Sequence, residues 1–150
     1  MLKITVYAVG KLKEKFWKDA CNEYLKRLSA YAPTTIIELP DSNKAEESAL
    51  LLQKLGETPA HTKTILLDRV GKQVSSTDLA DMLDADTLSG ISHIRFIIGG
   101  SDGVDANVSA YADVSISFGK ITLPHNLARV VLLEQLYRAC KISKGEPYHK

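Results

Sequence analysis

The sequence predicts an α/β fold, a mostly parallel sheet carrying helices on both faces. Three observations lead there. Segments of strand and helix character alternate along the whole chain, as β–α units do. The strand-like segments are continuous apolar runs, which suits strands buried on both faces. Glycine or proline follows most of them, the usual punctuation of such units. A chain of 150 residues is large enough to bury a proper core. With no repeat, linker or low-complexity stretch, it is expected to form one domain over residues 1–150.

Lys3 to Val9 (KITVYAV) reads as a strand stopped by Gly10. Lys13 to Ala30 places Phe16, Trp17, Ala20, Cys21, Tyr24, Leu25 and Leu28 at helical spacing and is an amphipathic helix. Thr34 to Leu39 (TTIIEL) is a β-branched run closed by Pro40, and Lys44 to Leu55 is a second helix stopped by Gly56. Thr64 to Asp68 (TILLD) is a third strand, expected to end at a Gly71-Lys72 turn. Thr77 to Leu88 is a third helix, with Ser75, Ser76 or Thr77 available as its N-cap. His93 to Ile98 (HIRFII) is a fourth strand broken by Gly99-Gly100. Val104 to Ala112 reads as a short helix and Val114 to Phe118 as a fifth strand.

The closing stretch, Phe118 to Lys150, contains a helix that is apolar on nearly every side. It carries Leu127, Val130, Val131, Leu132, Leu133, Leu136, Tyr137, Ala139, Cys140 and Ile142. Such a helix must be covered on most sides by its own domain, a partner subunit, or both. Arg129 is its odd member. At about 100° per residue it falls over Leu132, Leu133, Leu136 and Cys140, opposite the charged strip of Glu134, Arg138 and Lys141. A cation in the first turn of a helix also opposes the helix dipole. Arg129 therefore calls for an anion. A carboxylate of the protein and a substrate phosphate both satisfy that demand, and the sequence does not separate them.

An apolar content of 45% and a charged content of 25% are those of an ordinary soluble globular protein. The formal charge of +1 hides basic ends, with seven Lys/Arg against three acids from Lys3 to Arg27 and four against one from Arg138 to Lys150. That distribution permits contact with a polyanion without demanding it. A dedicated DNA-binding domain is usually more basic. Cys21 and Cys140 lie far apart with no CxxC pair and read as reduced core cysteines of a cytosolic protein. The apolar run Ile4 to Val9 precedes Lys11, Lys13 and Lys15, the wrong order for a signal peptide. No stretch approaches the ~20 apolar residues of a membrane span. A cytoplasmic location without a membrane is expected.

In open α/β sheets, ligands bind beyond the carboxyl ends of the strands. Three successive strands here run into glycine: Asp68 before Gly71-Lys72, then Gly99-Gly100-Ser101-Asp102-Gly103, then Gly119-Lys120. Glycine lets backbone approach a ligand closely, so a backbone-lined pocket is expected at that edge. The loops lack both the GxGxxG spacing of a dinucleotide fold and the GK[ST] ending of a phosphate loop. Ser101 stands outside any GxSxG elbow. No His, Cys or acidic pair has metal-ligand spacing, so no metal is expected. Asp68 and Lys120 are also the parts of a receiver-like phospho-acceptor domain, but Val9-Gly10-Lys11 stands where such a domain needs an acidic pair for Mg²⁺.

The order Ala8-Val9-Gly10-Lys11, Ile97-Ile98-Gly99-Gly100 with Gly103, Ile121-Thr122-Leu123-Pro124-His125, Arg129-Val130, Glu134-Gln135-Leu136-Tyr137-Arg138-Ala139 and Pro147-Tyr148-His149 resembles the RlmH family. These are small SPOUT-class methyltransferases that modify N3 of a pseudouridine in 23S rRNA of the assembled ribosome. The resemblance covers the whole chain. It is most specific in the C-terminal third and weakest between Asp41 and Lys63, where this chain looks short. The family's loop often has Pro-Glu where Ser101-Asp102 stand here. The resemblance implies a SPOUT-type fold whose C-terminal segment is threaded into a trefoil knot, a rare topology. It also implies a homodimer and S-adenosyl-L-methionine as cofactor. By position, the family's cofactor contacts fall on Leu67, Gly99, Phe118, Gly119, Lys120, Ile121, Thr122 and Leu123. These are ends of the glycine-terminated strands.

Methyl transfer to a ring nitrogen needs alignment of donor and acceptor and a way to remove or offset the N3 proton. The catalytic candidates are His149, Tyr148 and Arg129, with His125 and Arg138 as substrate-binding candidates. Bulk at Gly99 is expected to block the cofactor while leaving the fold intact. A ribosome- or RNA-binding module that has lost methylation is the non-enzymatic alternative.

Overall fold

The structure, a computed structural model, describes residues 2–149, so Lys150 of the basic C-terminal segment lies outside the described residues. Five strands, β1 (Lys3–Val9), β2 (Thr34–Leu39), β3 (Thr62–Gln73), β4 (His93–Ile98) and β5 (Val114–Ser117), alternate with five helices. The helices are α1 (Lys15–Leu28), α2 (Lys44–Leu55), α3 (Ser76–Leu88), α4 (Ala106–Tyr111) and α5 (His125–Lys144). The strands form one sheet in the order β2-β1-β4-β3-β5, and every strand pair is parallel.

Alternation of side chains along each strand sorts the core into two layers. Ile4, Val6 and Ala8 of β1 and Ile94, Phe96 and Ile98 of β4 pack with Cys21 and Leu28 of α1, Leu79 and Leu83 of α3, and Leu132, Leu133 and Leu136 of α5. Tyr7, Val9, Leu66 and Ile97 point the other way, into a smaller core with Leu51 and Leu55 of α2 and Val108 of α4. Both faces are covered, which is why the strands read as unbroken apolar runs. Helix α5 packs on α1 and α3 together. Its fully buried leucines each contribute roughly 1.5–3 kcal/mol, while Leu127, Val130 and Val131 are only half-buried.

One cation sits inside the smaller layer. Arg95 of β4 is buried and donates to the Leu55 carbonyl at 2.8 Å, to Thr64 Oγ1 at 3.0 Å and to the Tyr111 hydroxyl at 2.7 Å. Tyr111 in turn donates to the Gly56 carbonyl at 2.6 Å. Arg95 thereby satisfies the carbonyl of Leu55 at the end of α2, where the helix dipole favours a cation, and ties α4 to the same point.

Most element boundaries match the sequence reading. The main departure is β3, which does not stop at Asp68 but continues to Gln73. The Gly71-Lys72 turn is absent, because the chain bulges after Leu67 and then rejoins β5. Helix α3 starts one residue earlier than expected, behind a Ser75/Asp78 capping box. Among the described residues, no helix is long and apolar enough to cross a membrane.

Candidate functional site

A cavity of about 470 Å³ opens at the carboxyl ends of β3, β4 and β5, closed on one side by the first turn of α5. Its size is that of a small-molecule or cofactor site. Of the eight residues expected around a cofactor, Leu67, Gly99, Phe118, Gly119, Ile121, Thr122 and Leu123 line this cavity. Lys120 does not, and its side chain is exposed. His125 lines the cavity as well, whereas Arg129, Arg138, Tyr148 and His149 do not.

The loop after β4 owes its shape to contacts beneath it. The Gly103 amide donates to the Gly100 carbonyl at 3.0 Å, and Gly103 adopts φ +77°, a conformation that favours glycine. From α2, Ser48 accepts a hydrogen bond from the Asp105 amide at 3.0 Å. The buried Glu47 carboxylate comes so close that a Cβ on Gly100 would lie 2.7 Å from its Oε1. A Cβ on Gly99 would point into the same loop, 2.9 Å from Val104 Cγ1 and 3.1 Å from the Gly103 carbonyl carbon. Bulk at Gly99 would therefore press on the loop itself as well as on the cavity it lines. Gly119, with φ +125° and open space around its Cβ position, gives the β5 wall its turn. Ser117 Oγ closes that turn by accepting from the Gly119 amide at 3.1 Å.

The bulge of β3 forms the third wall. Leu67 and Lys72 both register on Ile116 of β5, so Asp68, Arg69, Val70 and Gly71 leave the sheet and return to the same rung. Gly71 makes the return possible. A Cβ there would lie 2.7 Å from the Ser115 carbonyl carbon and 2.8 Å from the Ile116 amide nitrogen. Its glycine serves close backbone approach to β5 rather than the turn read from sequence. Within the bulge, Asp68 Oδ1 accepts from the Val70 amide at 3.1 Å. Arg69 reaches across the mouth and donates to Thr122 Oγ1 at 3.0 Å.

Arg129 finds a protein carboxylate. It is 1% exposed, paired through Nη1 with Glu38 of β2, and donates from Nη2 to the Gly10 carbonyl at 3.0 Å. Glu38 also accepts from the Leu12 amide at 3.2 Å. Burial alone would push the Glu38 carboxyl up, but Arg129 and the Leu12 amide hold it below the usual carboxylate range. The pair thus binds the loop after β1 to α5. His125 lies close to Gly10, its Nε2 3.4 Å from where a Cβ on that glycine would stand.

The C-terminal tail forms a second constellation. Gly145, left-handed at φ +67°, ends α5 and turns the chain back along it. Glu146 accepts from Lys141 at 2.8 Å and from Tyr31 at 2.9 Å. The Tyr148 ring meets Tyr137 edge-on at 4.9 Å and lies under the Arg138 guanidinium at 4.7 Å. Its hydroxyl donates to Glu134 at 3.2 Å, and Arg138 Nη1 lies 3.2 Å from His149 Nδ1. Burial, then the Glu134 carboxylate, push the Tyr148 phenol up, so near neutral pH it is a hydrogen-bond donor rather than a base. Glu134 follows His125 by nine residues on α5, about 14 Å along the axis. Tail and cavity of one chain are separate sets.

The cavity can hold a ligand by backbone groups of its glycine loops and by charge on the bulge and the loop after β4. Asp68 and Asp102 supply negative charge and Arg69 positive charge. Sequence reading passed over Arg69, Val104 and Ala128; the available signal was nearness to Gly71 and Gly103 for the first two and to His125 for Ala128. Among the described residues no group of three or more His, Cys, Asp or Glu is placed to hold a metal ion.

The family model described as predicted SPOUT methyltransferase matches residues 2–149. The chain is 46% identical to the ribosomal RNA large subunit methyltransferase H of Carboxydothermus hydrogenoformans, over 99% of this chain and 100% of that protein. It is also 46% identical to proteins of that name from Bacillus cytotoxicus and Bacillus thuringiensis, again over 99% of this chain and 100% of each.

Proposed function

The chain belongs to the SPOUT methyltransferase family, and we propose that it methylates N3 of a pseudouridine in 23S rRNA of the assembled ribosome, with S-adenosyl-L-methionine as donor. The observation that carries this reading is the cavity itself, which seven of the eight expected cofactor positions line together from the ends of three strands. Bound there, S-adenosyl-L-methionine would supply a methyl group already activated on a sulfonium. The glycine loops after β4 and β5 would then hold it by main-chain contacts that side chains would obstruct. Asp68 and Asp102 set negative charge beside its cationic portion. His125, at the first turn of α5, lines the same space.

We place the N3 proton under the control of the tail, with His149 as acceptor and Tyr148 and Arg138 as donors to the uracil ring or its phosphate. Because the tail of a chain lies away from that chain's own cavity, this assignment requires the tail of a second copy, and so a homodimer. The half-buried Leu127, Val130 and Val131 on α5 suit a face covered by that copy. The family resemblance carries a threaded trefoil knot at the C-terminal segment, and the Arg69–Thr122 hydrogen bond that joins the β3 bulge to the 121–123 stretch suits it. One domain spanning the chain, at work in the cytoplasm on ribosomes, completes the reading. RNA recognition would rest on shape and phosphate position.

The test is transfer of labelled methyl from S-adenosyl-L-methionine to ribosomes lacking the modification, with nucleoside mass spectrometry to locate it. N3-methylpseudouridine at a single large-subunit position is expected. No transfer, or transfer to another atom, would overturn the assignment.

A further inference from the structure

We propose that the β3 bulge is a carboxylate clamp, in which Arg69 binds the amino-acid end of the methyl donor and couples it to the Thr122 loop. The proposal rests on the cofactor reading above and assigns Arg69 a role within it. The bulge is anchored at both ends, since Leu67 and Lys72 share Ile116 as partner and the Val74 amide donates to the Ser117 carbonyl at 3.1 Å. Gly71 pins its return by direct backbone packing on β5. Arg69 is therefore presented from a bulge fixed at both ends rather than from a loose loop.

Charge makes the assignment specific. Asp68, Arg69 and Asp102 are the Asp, Glu, Lys and Arg residues on the cavity wall, so among the described residues Arg69 is its single Lys or Arg. No carboxylate of the described residues pairs with it. Its one hydrogen bond, through Nη1 to Thr122 at 3.0 Å, leaves the rest of the guanidinium fork for a ligand. A guanidinium fork matches a carboxylate with two parallel N–H donors. The donor's amino-acid portion carries one carboxylate and one ammonium, and its sulfonium carries a further positive charge. Two acids and one arginine complement that arrangement in sign. With a carboxylate on one side of Arg69 and Thr122 on the other, ligand binding also fixes the 121–123 wall.

Calorimetric titration of wild type and Arg69→Met with S-adenosyl-L-methionine and with its decarboxylated analogue tests this. Decarboxylation keeps the sulfonium and the ammonium and removes only the anion. Loss of a charge-assisted contact corresponds to roughly tenfold to a hundredfold in affinity. Wild type is expected to prefer the carboxylated donor by about that factor, Arg69→Met to lose the preference, and Arg69→Lys to keep part of it. Wild type that binds both ligands equally, or Arg69→Met that weakens both alike, overturns the clamp while leaving the cofactor reading intact. Loss confined to the KM for ribosomes assigns Arg69 to RNA and overturns the clamp equally. Wild type that binds neither ligand overturns both.

Discussion

Replacing Glu38 by glutamine isolates the claim that Arg129 is held by a protein carboxylate. Arg129 is 1% exposed, and removing one partner of a buried pair costs about 3–5 kcal/mol. Two features reduce that figure. The Glu38 side chain is 37% exposed, so water reaches one side of the pair, and glutamine keeps an oxygen that accepts from Arg129. A loss of about 2–3 kcal/mol remains, or roughly 5–10 °C in Tm for a chain of this length. The pH dependence has a defined sign. Glu38's folded-state carboxyl titrates below its ordinary value of 4.5, so its stabilisation is fully present above that pH. It is lost as pH falls through the lowered folded value. Urea melts of both proteins at pH 7, repeated at descending pH, measure the effect. A gap at pH 7 that closes in acid is expected. Identical melts at pH 7, or a gap unchanged below pH 4.5, would refute the pairing as the reason a cation tolerates this site.

Two further outcomes follow from the same geometry. Gly71→Ala should cost about 1–3 kcal/mol, as overpacking does, because its Cβ would lie 2.7 Å from the Ser115 carbonyl carbon; thermal melts read the loss, and unchanged stability would mean the bulge is adaptable. Tyr148→Phe and His149→Ala should lower methyl transfer to ribosomes at least tenfold while the donor's Kd shifts less than about twofold, and unchanged turnover in both would remove the tail from the chemistry.

Where the chain announces its own turns, sequence and structure coincide. The bounds of β1, β2, α2 and β4 match because Gly10, Pro40, Gly56 and Gly99 each end an element by backbone geometry. The same signal misleads at Gly71, where glycine serves the close passage of β3 over β5. Local sequence cannot distinguish a residue that turns from one that merely has no side chain to collide. Arg129 illustrates the opposite case. Its need for an anion follows from its helix position, but the partner lies 91 residues away on β2, and only the tertiary fold brings them together. The cavity is legible because it is made of strand ends and glycines. The bulge that arms it with Arg69 is not, because its register depends on β5.

The direct test of the central claim is where the methyl donor binds. Titration of ¹⁵N-labelled protein with S-adenosylhomocysteine, followed by amide chemical shifts, reports that without requiring turnover. Shifts centred on Leu67–Arg69, Gly99–Val104 and Phe118–His125 are expected. Binding whose shifts centre instead on the hollow beside Lys18, Cys21 and Glu38, or no binding at all, would contradict the account.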